Sequence, residues 1–487
     1  MGQKLSVFSL KSERSDIDMT DYQFYIDGEW RNASSNEWME VKNPANGEIV
    51  GRVPRGTADD MNAAVAAAKA AFPAWNETSV EERTALLKKV RDGIVDRQDE
   101  IADIIVQELG APISLARSKH VQQPIKEMDD MFDDLENVHF EEDIDGTQVV
   151  KEGFGVVACV TPWNFPLTQI ERKIGPALIA GNTVVVKPAT DTPITAVLLA
   201  EICEEAGLPK GVFNLVTGQG SQVGDVLTEH KDVDVISFTG STEVGRHLYQ
   251  HASFTIKKLI LELGGKSPLI YMPGGDLYYA VKKSMDTVVN NCGQTCSALT
   301  RLLVPREELE AANQSILNYY EKNVVIGDPT NPDTVVGPVV SERQKETVES
   351  YIQKGKEEGA RVLVGGGKID REGHYVEPTV FTDVDNKMVI AQEEIFGPVL
   401  CVIPYDSLEE AIEIANDTEY GLSGAVVGPS DEEAIAVARK IRTGSVYINK
   451  SGKSNKAPYG GYKQSGIGRE NGRYGVQDYL EIKSIYK

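Results

Sequence analysis

The sequence predicts an α/β protein with a parallel, Rossmann-type sheet in one domain and a second α/β domain after it. Three observations carry the prediction. The chain has 487 residues, 41% hydrophobic and 25% charged, enough for two or three domains of ordinary globular composition. Between residues 153 and 263, short apolar strands alternate with helical segments, the pattern of a parallel sheet covered on both faces. From about 265 to 465 the same alternation recurs.

FYIDGEW, with turn residues Asp27 and Gly28, reads as a hairpin. Met61 to Phe72 is Ala-rich and helical. Ser79 and Glu82 make a capping-box pattern. They open one long helix whose apolar positions Leu86, Leu87, Val90, Ile94, Ile101, Ile104, Ile105 and Leu109 follow a helical period, with Gly110 as its stop. Glu127 to Asp145 is the acidic extreme and reads as a solvated helix face and linker. Strands follow at 155–160, 183–187, 212–216, 233–238 and 257–263, with a helix at Thr168 to Ala180 and another opened by Pro193. Ligands of such sheets bind at the strand C-terminal ends. The second domain reads as helices 276–291, 306–322 and 341–358, the strand TRLLVP, and strands near 362, 399 and 445. Gly264, Gly265 and Pro268 mark the boundary.

The formal net charge of −24 argues against nucleic acid and against anionic membranes as partners. No apolar run approaches the ~18 residues of a membrane span, and the polar N-terminus has no signal-peptide core. A cytoplasmic location is therefore expected. The five cysteines, Cys159, Cys203, Cys292, Cys296 and Cys401, are odd in number and unpatterned, unlike a disulfide framework. Cys292 and Cys296 lack a second ligand cluster, and no metal is expected.

Four segments carry chemistry. TPWNFP (161–166) follows a strand directly, and its prolines fix the backbone around Asn164. An amide held there suits an oxyanion donor, or a structural turn. SFTGSTEVG (237–245) runs from strand to helix through Gly240 and offers a helix N-terminus to a phosphate. It is not the G-x-G-x-x-G fingerprint and is equally an ordinary turn. LELGGKSP (261–268) ends an apolar strand on Glu262. Burial there would raise its pKa toward a general base's range; a salt-bridged strand end is the plainer reading. NCGQTCSA (291–298) sets Cys296 in a tight backbone. With a lowered pKa it would be a nucleophile, and otherwise it is a buried apolar cysteine.

Together these segments resemble the aldehyde dehydrogenase superfamily from about residue 22 to 487. The matching motifs are PWNFP, GNTVVVKP, FTGSTEVG, LELGGKSP, GQTC, EEIFGP (393–398), NDTEYGLSG (416–424) and PYGGYKQSGIGRENG (458–472). The resemblance implies Cys296 as nucleophile and Glu262 as general base. It implies Asn164 as oxyanion donor, together with the Cys296 backbone N–H. Lys187 would bind the adenosine ribose, Gly240 and Ser241 the pyrophosphate, and Glu394 and Phe396 the nicotinamide ribose and ring. Trp163, Thr190, Gly220, Gly224, Gly245 and Leu263 complete the expected cofactor set. NAD and NADP both remain open, because Thr190 stands where NAD-preferring members often carry a glutamate. Cys292 lies outside the motif, as a bystander or as a disulfide cap on Cys296 under oxidation.

The implied reaction is oxidation of an aldehyde to its acid through a Cys296 thioester hydrolysed by water that Glu262 activates. Arg172 stands where succinate-semialdehyde members carry a carboxylate-binding arginine, but Asn290 replaces their second one, which disfavours that substrate. Aromatic and general aliphatic aldehydes remain open. The alternatives are a CoA-acylating dehydrogenase of the same fold, which tends to lack this glutamate, or a catalytically idle structural member. The expected layout is a cofactor domain (22–134 and 153–263), a catalytic domain (264–465), an oligomerisation element (135–152 and 466–487) and an N-terminal tail (1–21). A homodimer or homotetramer is expected from the final edge strand.

Overall fold

The structure, a computed structural model, describes residues 20–487. Most of the expected tail lies outside them. Thr20 and Asp21 do not read as tail: the Arg52 N–H donates to Thr20 O at 2.9 Å, and Asp21 pairs with the Arg52 guanidinium at 2.7 Å.

Strands β1 (Phe24–Ile26) and β2 (Glu29–Arg31) form the expected hairpin, with Asp27 and Gly28 both at positive φ, as a type I′ turn requires. β3 (Trp38–Lys42) and β4 (Ile49–Pro54) pair separately. β5 (Glu141–Ile144) and β6 (Thr147–Gly153) make a second hairpin. β7 (Val156–Val160), β8 (Thr183–Lys187), β9 (Phe213–Leu215), β10 (Val235–Thr239) and β11 (Lys258–Glu262) are the parallel strands of the first large sheet. β12 (Pro268–Tyr271), β13 (Arg301–Pro305), β14 (Arg361–Val364), β15 (Thr379–Thr382), β16 (Val399–Tyr405), β17 (Ala425–Val427) and β18 (Tyr447–Ile448) form the second. β19 (Gly466–Ile467) returns antiparallel to the first sheet, and β20 (Leu480–Ile485) pairs β6.

The first sheet runs β19-β11-β10-β7-β8-β9-β1-β2. Its order reverses between β7 and β10, and such a switch point opens a crevice at the strand C-terminal ends. The second runs β14-β15-β16-β13-β12-β17-β18, antiparallel only at β14. Each sheet has its own apolar core, and the residues of one core run almost entirely before 265 and those of the other after it.

Two expectations fail here. The long helix after Ser79 divides into Val80–Asp96 and Gln98–Leu109 at Arg97, whose φ −105 and ψ 17 leave the helical region. The Arg97 guanidinium is held there by Glu100 and Glu201. The acidic stretch is a solvated face only in part: Asp133, Glu136 and residues 141–143 are exposed, but two of its acids are not. In the helix Gln122–Asp134, Glu127 and Asp134 are buried. Glu127 accepts both Arg172 bonds at 2.6 and 2.7 Å, and Asp134 accepts the Arg473 N–H at 2.8 Å. Residues 141–144 are a paired, exposed strand, not a linker.

Candidate active site

Three loops leave the switch point side by side. The 161–166 segment follows β7, Gly240 and Ser241 follow β10, and Glu262 ends β11 opposite Thr239. Two cavities meet there, and Cys296 lines both. One, of about 280 Å³, is walled by Trp163, Asn164, Gly240, Ser241, Leu263, Glu394 and Phe396, all expected from the sequence. The other, of about 490 Å³, opens on the opposite side past Phe165, Gln169, Arg172, Lys453 and Tyr459. Of the other expected residues, Lys187, Thr190, Gly220, Gly224, Gly245 and Glu262 line neither cavity. All but Gly245 and Glu262 lie at or beyond the C-terminal ends of β8 and β9, along the same sheet edge. Burial draws the Lys187 ammonium down to about 8. Thr190 and Gly220 are exposed. Gly245 packs under Leu263, where a Cβ would stand 2.6 Å from its Cδ1.

The Cys296 loop is held by contacts only small or specific residues allow. Asn291, Cys292 and Gly293 all sit at positive φ (52, 54 and 67). A Cβ on Gly293 would lie 2.2 Å from Gly397 O, and one on Gly265 would lie 2.3 Å from Cys296 O. The Asn164 side chain donates from Nδ2 to Gln294 O at 2.9 Å, while Asn291 Nδ2 donates to Asn164 O at 2.9 Å. One amide hydrogen of Asn164 is thereby used, and the second is left for a ligand.

The Cys292 thiol turns into the second core and donates to Gly337 O at 3.0 Å. Burial pushes that thiol up to about 12. Of the two readings, bystander and disulfide cap, this setting favours the bystander.

Cys296 is partly exposed, and its Sγ lies 3.5 Å from the Tyr459 hydroxyl. The surroundings do not lower its pKa. Burial pushes the thiol up to about 11, with Glu394 and Glu262 adding to the rise and Tyr459 opposing it. Desolvation of a thiolate outweighs one hydrogen bond.

Glu262 is buried, and neither carboxyl oxygen has a protein partner. Burial first, and then the Glu470 carboxylate, raise its pKa well above the ordinary range, with Lys173, Arg172 and Arg469 opposing. Lys173, fully buried, donates to Thr239 Oγ1 at 2.7 Å and to Glu470 Oε1 at 2.9 Å. Glu394 accepts the Gly265 N–H at 3.0 Å and is pushed up to about 7 by burial. Phe396 (φ 54) meets Trp163 edge to face at 5.2 Å, and its carbonyl accepts from Gln344 at 2.8 Å.

Sequence reasoning passed over Tyr459, Lys173, Glu470, Gln344 and Thr347. Tyr459 and Glu470 lie inside the PYGGYKQSGIGRENG segment, which was matched without being read for chemistry. Arg172 is not a free clamp, because Glu127 takes its paired donors and Lys453 stands 3.5 Å from the same carboxylate.

A doubly wound sheet whose strand-end crevice leads to a thiol between two cavities defines a class: a two-substrate α/β enzyme of the dinucleotide-dependent kind. The chain belongs to the aldehyde dehydrogenase family, whose description matches residues 30–485. A putative aldehyde dehydrogenase of Staphylococcus aureus (strain MSSA476) is 47% identical over 96% of this chain and 99% of its own. Aldehyde dehydrogenase C of Pseudomonas syringae, solved as a cysteine-to-alanine variant with NAD+ and octanal, superposes with a TM-score of 0.94. It is 44% identical and covers 98% of each chain. The Mycobacterium tuberculosis aldehyde dehydrogenase complexed with NAD+ gives a TM-score of 0.94 at 41% identity, over 96% of this chain and 99% of that one. No helix of the described residues is long and apolar enough to cross a membrane.

Proposed function

We propose that the protein oxidises an aldehyde to its carboxylic acid with reduction of NAD or NADP, and that Cys296 carries the acyl group. The carrying observation is Cys296 as the one residue lining both cavities. Trp163, Gly240, Ser241, Glu394 and Phe396 would hold the dinucleotide in their cavity, where it would supply the hydride acceptor. Ribose and phosphate contacts would extend along the sheet edge through Lys187, Thr190, Gly220 and Gly224, with Gly245 packed under Leu263 beside them. The aldehyde enters from the Tyr459 side. The Cys296 thiolate adds to its carbon, and the oxyanion is met by the second Asn164 amide hydrogen and the Cys296 N–H. Loss of hydride leaves a thioester. Glu262 takes a proton from the water that releases the acid, and Lys173 and Glu470 set the charge behind it. Arg172, bound by Glu127, disfavours an aldehyde that depends on a carboxylate clamp. Aliphatic and aromatic aldehydes are the classes to test, and octanal, seen with the Pseudomonas relative, is a natural first probe.

The test is reduced-nicotinamide absorbance with NAD and NADP in parallel across aliphatic and aromatic aldehydes. Turnover in the wild type and none in Cys296→Ala is expected. Turnover that survives Cys296→Ala, or that requires coenzyme A as acyl acceptor, overturns the reading.

The same reading divides the chain into the cofactor domain (22–134 and 153–263), the catalytic domain (264–465) and the oligomerisation element (135–152 and 466–487). β20 supports the last. It is an edge strand beyond Leu480, with Ile482 and Ile485 exposed, and such edges pair with neighbours. Light scattering is expected to give a homodimer or homotetramer, and a monomer would count against the assignment. A cytoplasmic location fits the five free cysteines.

A further inference from the structure

Away from both cavities, the helix Asp225–Glu229 packs against the helix Thr242–Ala252. Asp225 and Glu229 are four residues apart, and so are His247 and His251, so each helix presents its pair on one face. Glu229 Oε1 lies 2.5 Å from His251 Nδ1, and Asp225 Oδ1 lies 3.4 Å from His247 Nε2. The two imidazole centroids are 4.2 Å apart. One ligating atom each from Glu229, His247 and His251 lies within 4.8 Å of the other two, the one such grouping among the described residues.

We propose that Glu229, His247 and His251 bind a divalent transition-metal ion of the zinc or nickel type, with Asp225 orienting the His247 ring. Two histidines four apart on one helix face are a ready pair of ligands for such an ion. Two nitrogens and a carboxylate suit zinc, nickel or copper. Magnesium and calcium require oxygen shells. Metal–ligand bonds of about 2.0–2.2 Å put neighbouring ligand atoms ~3.3 Å apart in a tetrahedron, within rotamer reach of the separations here. The carboxylate behind His247 is the usual partner of a metal-bound imidazole.

The alternative is two ordinary surface ion pairs. That reading leaves two imidazoles with centroids 4.2 Å apart, each turned to its own carboxylate. A single dication would instead engage both rings at once and balance the two carboxylates. All four side chains are partly exposed, so an ion reaches them from solvent. The two helices begin next to Gly224 and Ser241, so the ion would fasten together two segments assigned above to the dinucleotide. The site itself does not depend on the aldehyde reading.

The experiment is calorimetric titration of the full chain with zinc chloride, and separately with magnesium chloride. The chain carries Cys296→Ala so that the exposed thiol takes no zinc. One zinc per chain is expected, with no saturable magnesium binding. Zinc affinity should fall at least tenfold in His247→Ala/His251→Ala and again in Glu229→Gln, with metal-free melting temperatures matching the parent. Absence of saturable zinc binding in the parent, or unchanged affinity in either variant, overturns the proposal.

Discussion

Glu262 shows how a single side chain couples burial to function. Desolvation, and then the Glu470 carboxylate, raise its pKa well above the ordinary range, and the general base proposed for the hydrolytic step must be ionised. The sign follows: the fraction able to accept a proton grows as pH rises, so turnover should climb through neutral pH into the alkaline range. Glu262→Gln should keep a first burst of reduced cofactor, lose steady-state turnover by ~10²–10⁴-fold, and flatten the alkaline rise. An unchanged steady-state rate would remove Glu262 from the hydrolytic step. Residues of this kind were legible where a motif names them, as with Cys296, Asn164 and Glu394. Lys173 was not, because a lysine on an amphipathic-looking helix reads as solvated. Only the fold shows that its helix is buried all round.

Gly264 and Gly265 illustrate the scale of elements. They read in sequence as a domain boundary, and in space they are a seat. Glu394 Oε2 stands where a Cβ on Gly264 would come within 2.4 Å, and the Cys296 carbonyl backs directly onto Gly265. Gly265→Ala should displace the nucleophile loop and lower kcat/KM by more than ~10²-fold, since a shift of about 1 Å at a reacting atom can cost that much. Wild-type kinetics in that variant would show the loop to be more compliant than its contacts imply. The strands and helices of the first sheet were legible because apolar runs and caps coincide there: the Ser79–Glu82 capping box is formed as read. Three strands of the second sheet, β12, β15 and β17, were not read; at three or four residues they carry no period of their own, although β14 and β18, which are no longer than these, were placed. The break at Arg97 was invisible because the apolar period continues across it.

At the scale of the whole molecule, one buried pair ties the acidic helix Gln122–Asp134 to the helix Pro166–Ile179. Burial pushes the Glu127 carboxyl up, but Arg172, with help from Lys453, holds it down at about 2. A depressed folded-state pKa stabilises above the ordinary glutamate range of ~4.3 and loses that contribution as pH falls toward about 2. Arg172→Ala leaves the carboxylate buried and short of a partner, and should cost about 3 kcal/mol in denaturant unfolding near neutral pH. It should also weaken the dependence of stability on acid between those limits. A neutral change would mean that Lys453, 3.5 Å from the carboxylate, takes over the charge. Most acids of that run are solvated, as its composition suggests, but composition reports how many charges a segment carries and not which of them finds an arginine 45 residues away.

The meeting of two chambers at one sulfur also governs traffic. An aldehyde and a dinucleotide need not queue through a single mouth. A bulky electrophile entering past Tyr459 would plug Cys296 and leave the Trp163 chamber open. Such a reagent would abolish oxidation while the protein went on loading and unloading its dinucleotide, which makes occupancy of one chamber a poor guide to the health of the other.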